Sequence, residues 1–105
     1  MISLLNPLCG LCYNLPMFRL WGKLFRNNKM LRDYVFVDDD AEKNRTRKVF
    51  DGLESICREF NLSVPLWLDG NISDFKKVAK TRFRADSFME EIDFDYLEIQ
   101  VIEED

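Results

Sequence analysis

The side chains with the clearest capacity for chemistry are carboxylates, and they gather at one end of the chain. From position 85 onward there are nine Asp and Glu and no Lys or Arg. Asp93 and Asp95 stand two apart in an alternating stretch, the spacing that puts both on one face of a strand. Paired carboxylates can do general acid–base work, but surface pairs are usually solvated, and no catalytic constellation accompanies these. The chain has no His, which removes the usual general base and the commonest metal ligand. Asp38-Asp39-Asp40 lacks the D-x-D-x-D-G spacing and distal Glu of a calcium loop and reads as helix-capping chemistry. Cys9-Gly-Leu-Cys12 has C-x-x-C spacing, yet it comes after no strand pattern and has no second pair to complete a zinc site. No P-loop, dinucleotide fingerprint or G-x-S-x-G elbow occurs. The chain is expected to be non-enzymatic, with no metal and no cofactor.

What remains is binding, and the charge distribution offers two polarities. Residues 1–84 hold all 15 basic side chains, whereas the acidic end carries nine of the 19 acids, so the net charge of −4 hides a strong asymmetry. An acidic surface of Asp93, Asp95, Glu98, Glu103, Glu104 and Asp105 would imitate a phosphate backbone to a protein lined with Lys and Arg. With the polarity reversed, Lys76, Lys77, Lys80, Arg82 and Arg84, interleaved with Phe83 and joined by Arg45 and Arg47, would contact nucleic acid. An acidic pI of about 4.9 opposes phosphate at longer range and favours the first polarity. The two blocks can also neutralise each other within the fold.

The elements that must position these groups are set by periodicity. Phe18 to Phe25 and Met30 to Val37 flank Asn27-Asn28, residues that tolerate the positive φ of a two-residue hairpin turn. Closing there pairs Phe25 with Met30, Leu24 with Leu31, Leu20 with Val35 and Phe18 with Val37, leaving Trp21 opposite Tyr34 on a mixed aromatic and basic face. Those two aromatics are candidates for base stacking or for a homodimer interface. Asp38 to Asp40 then caps a helix over about 41–60, with Val49, Phe50, Leu53, Ile56, Cys57 and Phe60 in one apolar stripe. Val64 to Leu68 reads as a short strand that Pro65 confines to a sheet edge. Asn71 opens a short helix from Ile72 to Lys80. Asp93 to Glu103 alternates, with Leu97, Ile99 and Val101 facing the core. The expected fold class is α+β: an antiparallel sheet of N-terminal hairpin, C-terminal strand and short edge strand, with one long and one short helix on one face.

Residues 1–16 carry no charge and differ in kind from the rest of the chain, reading as an apolar extension or alternative start before a single domain over 17–105. They form neither a convincing signal peptide nor a membrane span, and three cysteines suit a reducing cytoplasm. Two stretches carry a resemblance: N-R-T-R-K-V-F-D-G-L-E-S-I-C-R-E-F with P-L-W-L-D, and K-T-R-F-R-A-D-S-F-M-E-E-I-D-F-D-Y-L-E-I-Q-V-I-E-E-D. From about Met17 to Asp105 the chain resembles short, mostly uncharacterised bacterial and mobile-element proteins, a group compatible with small anti-CRISPR inhibitors of Cas nucleases. The resemblance transfers no residue roles, but it implies a basic protein partner such as a Cas effector, ahead of direct nucleic-acid binding or a homodimer through the Trp21/Tyr34 face or an open sheet edge.

Overall fold

The computed structural model describes residues 17–104; expectations for residues 1–16 and for Asp105 lie outside the described residues. Strands β1 (Phe18–Arg26) and β2 (Lys29–Asp38) form a hairpin. Helices α1 (Arg45–Glu59) and α2 (Asp69–Val78) come next, then β3 (Lys80–Phe83), a 3-10 turn (Ala85–Ser87) and β4 (Tyr96–Glu103). All pairings are antiparallel and the sheet order is β2-β1-β4-β3, so the last strand is central. The fold is α+β, as expected. Among the described residues no helix is long and apolar enough to cross a membrane.

The hairpin turn forms at Asn27 (φ 55°) and Asn28 (φ 67°), both in the left-handed region that this turn requires. Phe25 opposes Met30 as expected, but the register then shifts by one: Leu24 faces Arg32, Trp21 faces Val35, Leu20 faces Phe36 and Phe18 faces Asp38. Leu31 is the extra residue of a bulge, and one extra residue exchanges the two faces of everything beyond it. Phe36 therefore turns toward the helices and packs on the core. Val35 and Val37 turn away, and Tyr34 comes opposite Gly22 rather than Trp21.

Helix α1 lies on this face with almost no clearance. A Cβ on Gly52 would sit 2.7 Å from Leu20 Cδ2 and 2.8 Å from Phe36 Cδ2, and one on Gly22 would strike the Ile56 side chain. Glycine at both places lets helix and strand backbones approach closely. The predicted apolar stripe is buried at Val49, Leu53, Ile56, Cys57 and Phe60, but Phe50 is half exposed. The helix starts later than expected, because Asn44 supplies the cap by accepting from the Arg47 amide at 2.8 Å. The aspartate run has other work: Asp38 accepts from the Asp40 amide and from Lys43.

Val64 to Leu68 is not a strand. Pro65 lacks an amide hydrogen, and the segment is tied instead through the Leu66 amide, which donates to the Ser87 carbonyl at 2.7 Å. The edge position goes to β3, inside the basic cluster. Helix α2 starts three residues early; the Asn71 side chain accepts from the Leu68 amide and donates to Thr81 Oγ1 and the Arg82 carbonyl, joining the helix to β3. Ala79, at φ 56°, ends it. Leu97 and Ile99 of β4 are fully buried and complete the core with Phe83 and Phe75.

Candidate functional site

The acidic end divides into two parts with different fates. Alternation in β4 turns Glu98 to the sheet face that carries no helix, and the ladder sets it opposite Lys23 of β1 and Arg82 of β3. Lys23 Nζ lies 2.8 Å from Glu98 Oε2, and Arg82 Nε lies 2.9 Å from Oε1. Burial alone would raise the Glu98 carboxyl; the hydrogen bonds from Lys23 and Arg82 outweigh it and hold the group below the usual carboxylate range. Glu98 is only 4% exposed, which removes it from any acidic surface. Farther along, Glu103 pairs with Arg19 at 2.7 Å and Glu104 with Arg45 at 3.0 Å. All three carboxylates are paired within the chain, Glu98 buried and Glu103 and Glu104 at the surface.

The loop between β3 and β4 keeps its charge. Asp86, Glu90, Glu91, Asp93 and Asp95 are exposed, and among the described residues no Lys or Arg makes an ion pair with any of them. The loop is nevertheless pinned. Phe88 and Phe94 are buried edge to face with centroids 5.5 Å apart. The Ser63 amide and hydroxyl both donate to Glu90, the Asn27 amide donates to Asp95 at 2.8 Å, and Arg26 donates to the Asp93 carbonyl. Met89, 83% exposed, stands among the acids.

The basic cluster is likewise divided. Arg82 is spent on Glu98, and its guanidinium and that of Arg84 lie over the Tyr96 ring, 4.7 and 5.1 Å from the centroid. Tyr96 stacks on Phe25 at 5.1 Å. Lys76, Lys77 and Lys80 make no ion pair among the described residues. Arg47 lies apart, paired with Asp51 on α1. Arg45 also sits on α1, but it reaches toward α2, where its guanidinium lies over Phe75 at 5.3 Å. Trp21 and Tyr34 do not share a surface. Trp21 is on the helix-free face, donating to Asp33 at 2.9 Å with Lys23 over its ring, whereas the register turns Tyr34 the other way.

Two features escaped sequence reading. The first is β2, an edge strand whose Met30, Leu31, Tyr34, Val35 and Val37 are all exposed apolar residues. The second is a cleft of about 400 Å³ between α1 and α2 with Trp67 in its lining. Phe50, left half exposed in an otherwise buried stripe, could have signalled it.

Burial pushes the Cys57 thiol up to about 12, so it is a poor nucleophile at neutral pH. Among the described residues no three His, Cys, Asp or Glu gather as metal ligands. Compared with family models, curated proteins and solved structures, the chain matches none.

Proposed function

We propose that the protein is a non-enzymatic interaction domain that works as a pair of chains joined edge to edge through β2. The observation that carries this is the state of the edge: ten residues long, with no strand on its outer side among the described residues and five large apolar side chains exposed. Natural edge strands are normally short, charged, bulged away or covered, because open backbone groups recruit another strand. Here the bulge lies at the turn end, leaving Arg32 to Asp38 regular.

A second copy is the occupant that the side chains favour. In an antiparallel pair the hydrogen-bonded and non-bonded positions alternate, so a twofold axis must set some residue opposite itself. Centring on Asp33 opposes like charges, as does centring on Arg32. Centring on Val35 puts Val35 against Val35 on the axis and Tyr34 against the partner's Phe36 on either side of it. These cross-strand matches are the kind that stabilise a ladder.

Sedimentation equilibrium tests this. The wild type is expected to dimerise, and Val35→Lys, which sets two like charges at the axis, to yield a folded monomer by circular dichroism. A wild type that stays monomeric at its highest soluble concentration, or a Val35→Lys variant that dimerises as before, overturns the proposal.

The pinned acidic loop favours a second reading: the chain engages the basic surface of a nucleic-acid-binding effector such as a Cas nuclease. Five exposed carboxylates without ion-pair partners among the described residues, with Met89 among them, supply the long-range attraction and an apolar contact. Inhibition of the effector, weakened when those carboxylates are neutralised, is the test.

A further inference from the structure

We infer that the cleft between α1 and α2 is a binding site for a small apolar carboxylate, an acyl or aryl acid with one anionic end. Its volume of about 400 Å³ falls in the range of small-molecule sites, roughly 300–1,000 Å³. The inside is apolar, formed by Phe50, Trp67, Ile72 and Phe75, and Arg45 and Lys76 stand in its lining, one from each helix. Trp67 is the rigid part: its ring meets Phe50, Phe75 and Phe83 edge to face, with centroids 5.1–5.9 Å apart.

Two observations select this ligand over a neutral one. Lys76 has no ion pair among the described residues, so one cation at the cleft is unspent. Arg45 already holds a carboxylate, that of Glu104 at 3.0 Å, an internal example of the group the rim accepts. The apolar part of the acid lies along Phe50 and Ile72, both now substantially exposed, while the carboxylate takes Lys76 and competes with Glu104 for Arg45.

That competition gives the site a signature of opposite signs. Decanoate below its micelle concentration is the probe, with decanol and decylamine as controls, in a Trp21→Phe background so that Trp67 is the only remaining tryptophan. Saturable change in Trp67 fluorescence and movement of its indole N–H resonance are expected with decanoate and neither control. Lys76→Gln should weaken binding roughly two- to fivefold, the scale of one exposed ion pair, and Glu104→Gln should tighten it by freeing Arg45. Ile72→Trp should fill the cleft and abolish binding in a protein that still melts cooperatively. Decanol binding as tightly as decanoate, or no change with both Lys76→Gln and Glu104→Gln, overturns the inference; so does the absence of saturable binding. Repeating the titration in the Val35→Lys background separates these readouts from dimerisation.

Discussion

Lys23 Nζ and Glu98 Oε2 lie 2.8 Å apart across the β1–β4 ladder, on the helix-free face, and both side chains are nearly buried. Arg82 closes on the other carboxylate oxygen from β3, so one acid ties three strands together. Removing one member of a buried pair leaves the others uncompensated. Glu98→Gln is therefore expected to lower stability by about 1–3 kcal/mol, read as a shifted denaturant midpoint. An unchanged midpoint would mean the three groups are solvated.

The same carboxylates set the acid limit. Glu98 is held below its ordinary 4.5 by its two cations against the effect of burial, and Asp38 below its ordinary 3.8, chiefly by the Lys43 hydrogen bond. A depressed folded pKa contributes stability that is fully present above the unfolded value and disappears as pH falls through the folded one. Stability should therefore be flat from about pH 5 to about pH 8, above which the Cys57 thiol ionises more readily in the unfolded chain, and fall progressively below 4.5. Glu98→Gln should flatten the upper part of that fall and leave the Asp38 part in place, as followed by chemical denaturation across the acid range.

The contact between α1 and the hairpin depends on the absence of two methyl groups. At Gly52 an added Cβ meets Leu20 and Phe36 well inside van der Waals contact, although Ala is the better helix former by about 1 kcal/mol. Overpacking costs about 1–3 kcal/mol, so Gly52→Ala should destabilise despite its propensity. Gly22→Ala should do the same against Ile56. A Gly52→Ala protein that melts higher than wild type would show that the helix has room to move.

Cys57 is fully buried and its thiol is pushed up to about 12. In a protein with Cys9 and Cys12 changed to Ser, labelling of Cys57 at neutral pH should track global unfolding, accelerating with denaturant along the same slope. Fast labelling of the native protein would place the thiol near a local opening.

The central strand, the long helix and the turn were legible because each rests on a local signal: Leu97-x-Ile99 alternation, the Val49 to Phe60 stripe, and the Asn27-Asn28 pair. The hairpin register was not, because the bulge at Leu31 is chosen by Phe36 reaching the core near Gly52, residues distant in sequence. The edge strand was misplaced for a related reason. Lys80 to Phe83 reads as a basic run, and only pairing with Gln100 to Leu97 makes it a strand. Charge was legible as a total but not as a surface, since the partners of Glu98, Glu103 and Glu104 come from positions 23, 82, 19 and 45.

That division of the acidic end yields the sharpest test of partner binding. Glu103 and Glu104 are held by arginines within the fold, so Glu103→Gln with Glu104→Gln should leave a basic partner's affinity nearly unchanged. Asp86, Glu91 and Asp93 have no such partners among the described residues, and Asp86→Asn, Glu91→Gln and Asp93→Asn together should weaken association. At about 0.2–1 kcal/mol for each exposed charge, the loss is roughly three- to hundredfold. The salt dependence should flatten in the loop variant alone, since screening acts only on attraction that is still there. Under direct nucleic-acid binding through Lys76, Lys77 and Lys80 the sign reverses, and the loop variant binds more tightly because repulsion has been removed. Isothermal titration of both variants against the effector and against single-stranded nucleic acid, at two salt concentrations, separates the outcomes. Equal losses in the two variants would mean that the strand end, not the loop, meets the partner.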